Sequence, residues 1–151
     1  MATYDVTKGG GVNEGLSWSA FKASPTLSIE LDFAAIIAAN AALTAQTNIA
    51  VDDVIQILNW PARLQPINCL TEVVTATTAA ATADLGKAGG QEIEAAIDLD
   101  AAAGSVVLQA VTDVSFFAGA DTLDLEILGA AVSDGKLRIH IQCFECFAGN
   151  R

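Results

Sequence analysis

Lys136-Leu-Arg-Ile-His-Ile-Gln-Cys143 decides the fold class, because Leu137, Ile139, Ile141 and Cys143 alternate strictly with Lys136, Arg138, His140 and Gln142. That period of two is the mark of a strand with one face buried and the other in water. Asp121-Thr-Leu-Asp-Leu-Glu-Ile127 repeats it through Leu123, Leu125 and Ile127. Thr26-Leu-Ser-Ile-Glu-Leu-Asp-Phe33 repeats it again through Leu27, Ile29, Leu31 and Phe33. Three such segments predict a mostly antiparallel β protein with one inward apolar face per strand.

Working outward, Gly129-Ala-Ala-Val-Ser-Asp-Gly135 separates the last two strands and ends on an Asp-Gly pair suited to positive φ. The simplest expectation is that these two strands pair antiparallel with each other. Upstream, Val54-Ile-Gln-Ile-Leu58 is a β-branched run ending at Asn59-Trp-Pro-Ala-Arg63, which reads as strand, turn and return. In the return, Leu64 to Thr75, Pro66 cannot donate to a ladder and predicts an edge, a bulge or a strand start. Shorter strands are expected at Ala83 to Leu85, Ile93 to Leu99 and Ser105 to Val114. Ala34 to Ala50 is alanine-rich and predicts an irregular, partly helical connection. About eight short strands with turn-rich loops imply an all-β antiparallel β-sandwich or jelly roll.

The segment from Met1 to about Ser24 holds Gly9-Gly10-Gly11 and only scattered large apolar residues, Val12, Leu16, Trp18 and Phe21. It predicts an extended N-terminal arm over 1–24 and a β-sandwich domain over 25–151, so that deleting residues 2 to 24 leaves the domain folded. At 151 residues the chain is the size of one ordinary domain. Much of its 52% hydrophobic content is alanine, so the core must come from Ile, Leu, Val and Phe.

Eighteen acidic against seven basic side chains give a net charge of −11, which repels phosphates. Nucleic acid and anionic membrane surfaces are therefore not expected partners. No apolar run reaches the roughly 20 residues of a membrane helix, and the N-terminus lacks a secretory pattern. Synthesis and residence in a cytoplasm are expected, with Cys69, Cys143 and Cys146 as reduced thiols.

His140-Ile-Gln-Cys143-Phe-Glu-Cys146, with Cys69, is the one cluster with zinc-ligand chemistry. In a continuous strand, however, His140 points outward, Cys143 inward and Cys146 outward, so two ordinary thiols and an exposed histidine are expected, with no Cys143–Cys146 disulfide. Asp98, Asp100, Asp113, Asp121 and Asp124 have oxygen ligands but no calcium-loop spacing, and read as solvated loop carboxylates. Gly9-Gly10-Gly11 has neither the strand nor the helix of a nucleotide loop and reads as a hinge. No nucleophile-base pattern accompanies the single histidine, so no catalytic residue, cofactor or metal is expected. Trp18, Phe21, Trp60, Phe116, Phe117, Phe144 and Phe147 divide between core and contact, with Phe144 and Phe147 leaning toward contact.

The second half of the chain resembles small structural proteins of tailed bacteriophages, including those infecting cyanobacteria and other aquatic bacteria. The resemblance runs in order through the strand, proline turn and strand of Val54 to Val74, Thr82-Ala-Asp-Leu-Gly86, and Ile97-Asp-Leu-Asp-Ala-Ala-Ala-Gly104. It continues through Ala118-Gly-Ala-Asp-Thr-Leu-Asp-Leu125 and Gly135-Lys-Leu-Arg-Ile-His-Ile141. It implies a non-enzymatic virion protein that decorates and cements a capsid where major capsid protein subunits meet, typically all-β and often a homotrimer. The alternative is a tail or fibre component with a receptor-binding or carbohydrate-binding β-module, which would call for exposed aromatic clusters. Aromatic residues are only 6% of the chain.

Overall fold

A computed structural model of the chain describes residues 3–5, 12–14, 26–44, 46–60, 64–87, 91–111 and 121–145. Among the described residues there are ten strands, β1 (Thr3–Asp5), β2 (Val12–Glu14), β3 (Thr26–Asp32), β4 (Val54–Trp60), β5 (Leu64–Thr75), β6 (Thr82–Gly86), β7 (Glu94–Asp98), β8 (Val106–Ala110), β9 (Asp121–Leu128) and β10 (Lys136–Glu145). A helix, α1 (Phe33–Thr44), joins β3 to β4. The strands form two five-stranded sheets, in the orders β1-β4-β9-β6-β7 and β2-β3-β10-β5-β8.

The pairing is nested: β3 with β10 and β5 with β8 in one sheet, β4 with β9 and β6 with β7 in the other, all antiparallel. This is a jelly roll, a long hairpin folded over so that successive strands alternate between sheets. Of the eight strands β3 to β10, only β6 and β7 are consecutive and paired. The two short N-terminal strands extend the edges, β1 parallel to β4 and β2 antiparallel to β3.

Two expectations about neighbours are therefore corrected. β9 and β10 do not pair with each other: β9 lies between β4 and β6, and β10 between β3 and β5. Both strands are buried on one face, and placing them in opposite sheets turns those faces toward one another. The same holds for β4 and β5, which also sit in opposite sheets, so the chain crosses over rather than returning. The core fills the gap with Leu27, Ile29, Leu31, Ile139 and Ile141 from one sheet and Ile55, Ile57, Leu85, Leu123, Leu125 and Ile127 from the other. Pro66 sits beside a bulge between Gln142 and Cys143 of β10, and β8 pairs with β5 only from Asn68 onward, so no ladder needs a proline N–H there.

α1 is longer and more regular than the irregular connection expected. Phe33, Ile36, Ile37 and Asn40 are all buried, the i, i+3, i+4, i+7 stripe of a helix lying on a core. Asp32 caps it, its Oδ1 accepting the N–H of Ala35 at 3.1 Å. The Lys136 ammonium, 2.8 Å away, together with that cap, holds the Asp32 carboxyl below the usual carboxylate range against the opposing effect of burial.

Glu94 is one of the buried carboxylates, only 5% exposed. Thr71 Oγ1 donates to its Oε1 at 3.0 Å, but burial outweighs this and raises the carboxyl pKa. A raised carboxylate pKa means that the folded state holds the proton more tightly than the unfolded chain. Stability is thus greatest below the unfolded value and falls as pH rises toward the folded one. Glu94→Gln is expected to flatten that decline and to raise the melting temperature at pH 7, as thermal scans from pH 4 to 8 would show. A variant less stable than the parent at pH 7 would mean that the charged carboxylate stabilises the fold.

Candidate interaction face

The two outer faces of the sandwich differ in chemistry. On the β1-β4-β9-β6-β7 sheet, Asp84 of β6 lies directly across from Glu126 of β9, and Gly86 across from the buried Asp124. Partial burial raises the Glu126 carboxyl, and the nearby charges of Asp52 and Asp84 raise it further. At the loop end of β7, a hydrogen bond that the Asp100 carboxyl donates to Asp98 raises the Asp100 pKa. This face gathers like charge and repels other anionic surfaces.

The other outer face is built in rows, because the registers of β3, β10, β5 and β8 line residues up across four strands. One row reads Glu30, Arg138, Glu72, Val106; the next Ser28, His140, Leu70, Leu108; the third Thr26, Gln142, Asn68, Ala110. In the first, Arg138 Nη2 bonds Glu30 Oε2 at 2.7 Å and Nη1 bonds Glu72 Oε2 at 2.8 Å, so one guanidinium ties three strands together. The Glu30 hydrogen bond does most to raise the Arg138 pKa. Lys136 pairs with Asp32 one step beyond. The charges at this end of the face are thus paired in place, two cations among three carboxylates.

Away from the ion pairs the face becomes neutral and partly apolar. Thr26, Asn68, Leu70, Leu108, His140 and Gln142 line a shallow depression of about 330 Å³, with Asn68 Nδ2 donating to Gln142 Oε1 at 3.0 Å. Ile67, Val106, Val107 and Leu108, on β5 and β8, are four of the large apolar side chains left exposed. Sequence reading missed this patch, although its signal was present: Val106-Val-Leu108 carries apolar residues on both faces of a strand, without alternation.

The alternation expected of β10 holds. His140 faces outward into the depression, whereas Cys143 is fully buried beside Cys69 on the inner face. Burial pushes the Cys143 thiol up to about 12 and the Cys69 thiol higher still, which keeps both protonated and unreactive. His140 and the two thiols therefore lie on opposite sides of a sheet and do not converge. Asp121 bonds the N–H of Thr122 at 2.9 Å, and Trp60 is buried with its Nε1 donating to Leu64 O at 2.8 Å. Gly9 to Gly11, Trp18, Phe21, Pro61 to Arg63, Asp113, Phe116, Phe117, Cys146 and Phe147 lie outside the described residues; Phe144 is in β10.

No known protein family model matches the chain, and neither does any curated protein sequence. Among solved structures, a chain from the capsid of Ralstonia phage GP4 superposes with a TM-score of 0.63 at 15% identity, covering 97% of this chain and 100% of that one. A chain from the capsid asymmetric unit of cyanophage Pam1 superposes with a TM-score of 0.53, also at 15% identity, covering 87% and 91%. What the chain shares with these two capsid chains, almost end to end, is its jelly-roll fold.

Proposed function

We propose that this chain is a structural protein of a tailed-phage virion, which decorates the outside of the capsid and stabilises it by binding between major capsid subunits as a homotrimer. The observation that carries this reading is the superposition on a chain of the Ralstonia phage GP4 capsid, which spans 97% of this chain and 100% of that one. The resemblance in the order of the segments from Val54 to Ile141 points the same way. In this reading the protein is made in the host cytoplasm, has no catalytic role and needs no cofactor. Its net charge of −11 suits the solvent side of a shell better than a lumen packed with DNA.

The neutral rows of the β3-β10-β5-β8 face and the segment up to about Ser24 supply the grip, the segment adding contact area on neighbouring subunits from where β1 and β2 tie it to the sheet edges. Several such segments from one oligomer engage a lattice together, which multiplies weak contacts.

The test is to add the purified full chain to capsids of its source particle that lack it. Saturable binding and a higher disruption temperature are expected. Trp18→Ala combined with Phe21→Ala is expected to weaken binding about tenfold or more. Failure of the intact chain to bind such capsids would overturn the assignment; equal binding by the double variant would overturn only the role of the arm.

A further inference from the structure

β8 stands apart from the other strands because all five of its residues are exposed, with Leu108 at 69%, Val106 at 55% and Val107 at 50%. Its hydrogen bonding shows which way the backbone points. Val111 N–H donates to Ile67 O at 2.8 Å and Val73 N–H to Ser105 O at 3.0 Å, so the bonded positions fall on odd numbers. In an antiparallel ladder these alternate with non-bonded positions. The N–H and C=O groups of Val106, Leu108 and Ala110 therefore point away from β5, along an edge that no other described strand occupies.

Sheet edges are ordinarily protected by charge, proline or a bulge. The corresponding edge of the other sheet has such protection: β7 carries Glu94 and Asp98, a register irregularity against β6, and Ala96 held at φ 53°. Ser105-Val-Val-Leu-Gln-Ala110 has no charged residue, no proline and no bulge against β5.

We propose that β8 is a self-association edge, on which a second copy of this chain lays its own β8 antiparallel about a two-fold axis through Leu108. In that register Leu108 faces Leu108 of the second copy and Val106 faces its Ala110, so every outward N–H finds a carbonyl. Self-complementarity selects a second copy as the occupant, because that register sets Leu108 on Leu108 and Val106 on Ala110 with no charge between them. Between molecules of net charge −11 repulsion is least across this uncharged strip, and greater across the opposite sheet's face, which crowds Asp84, Glu126 and Asp52. A five-residue edge falls well short of the roughly 800 Å² per partner of a stable interface, so the contact is weak in solution and gains strength where copies are held side by side. A two-fold contact leaves any three-fold association to other surfaces. The inference does not depend on the capsid reading.

The test uses the full chain with Cys146→Ser, so that the buried thiols of Cys69 and Cys143 are the only native ones left. Directly bonded antiparallel partners have Cα atoms about 5.5 Å apart, within disulfide range. Leu108→Cys is therefore expected to form a disulfide-linked dimer under mild oxidation on the order of tenfold faster than Ser28→Cys, a control in the same row. Leu108→Asp is expected to abolish concentration-dependent self-association in sedimentation at millimolar protein, with an unchanged circular dichroism melt because the side chain is exposed. Equal crosslinking of the two cysteine variants, or self-association that survives Leu108→Asp, would overturn the proposal. So would a Leu108→Asp protein that self-associates normally and fails only to bind capsids, since the edge would then belong to a capsid strand.

Discussion

Tyr4→Ala is expected to destabilise the protein by about 3 kcal/mol, seen as a lower denaturant midpoint with an unchanged slope. Tyr4 lies in the stretch that reads as a loose arm, yet its side chain is fully buried in the core. β1 holds it there by pairing Thr3, Tyr4 and Asp5 with Val54, Ile55 and Gln56. Its hydroxyl is hydrogen-bonded to the Gln46 side chain and lies 3.0 Å from the carbonyl oxygen of Asn48. Burial, and to a lesser extent the charge of Asp53, raise its pKa. Tyr4→Phe, which keeps the ring, is expected to cost about 1 kcal/mol. A loss below about 0.5 kcal/mol for Tyr4→Ala would show that β1 is not part of the cooperative unit. The same burial alters what deletion of residues 2 to 24 does. It removes a core aromatic along with the arm, so the truncated domain is expected to be less stable as well as poorer at binding.

Gly135→Ala is expected to cost about 3 kcal/mol, from two sources acting together. Gly135 sits at φ 96°, where a side chain is strained, and a Cβ there would meet Thr77 Cγ2 at 2.7 Å and the backbone of Thr75 and Thr77 at 3.1 Å. Backbone neighbours do not move aside cheaply, and the Gly135 carbonyl also receives the N–H of Phe33, tying the turn before β10 to the start of α1. Gly104 supplies the comparison: it has φ 86° but open space around the absent Cβ. Gly104→Ala is expected to lose only the backbone part, about 1 kcal/mol. Equal losses for the two variants, measured by chemical denaturation, would show that the crowding at Thr77 is relieved without cost.

The strands of this protein are legible wherever one face is buried. β3 and β10 alternate in sequence and in burial, β9 does so except at the buried Asp124, and the inward apolar set they predict, from Leu27 through Cys143, is the set that packs. His140 and Cys143 are placed on opposite faces of β10 by the same period of two, which is a local property of an extended backbone. The helix was half legible: Phe33, Ile36, Ile37 and Asn40 are spaced for one face, but the alanines between them hide the contrast on which the stripe depends. The interaction face was not legible, because Glu30, Arg138 and Glu72 come from strands far apart in sequence, and nothing local announces that they meet.

The sequence by itself determined that the chain is all-β, where the eight strands β3 to β10 run, which apolar side chains of β3, β9 and β10 turn inward, and that Asp134-Gly135 makes a turn. Each of these follows from the period of the backbone or the steric freedom of one residue, and needs no knowledge of the neighbours. Tertiary structure alone decided which strands become neighbours. β9 and β10 sit in opposite sheets although they are consecutive, because burying two apolar faces against each other removes more of them from water than pairing them side by side. It also decided that Tyr4 belongs to the core and that β8 is left exposed, with one edge that no described strand occupies, since burial depends on what the rest of the chain happens to cover.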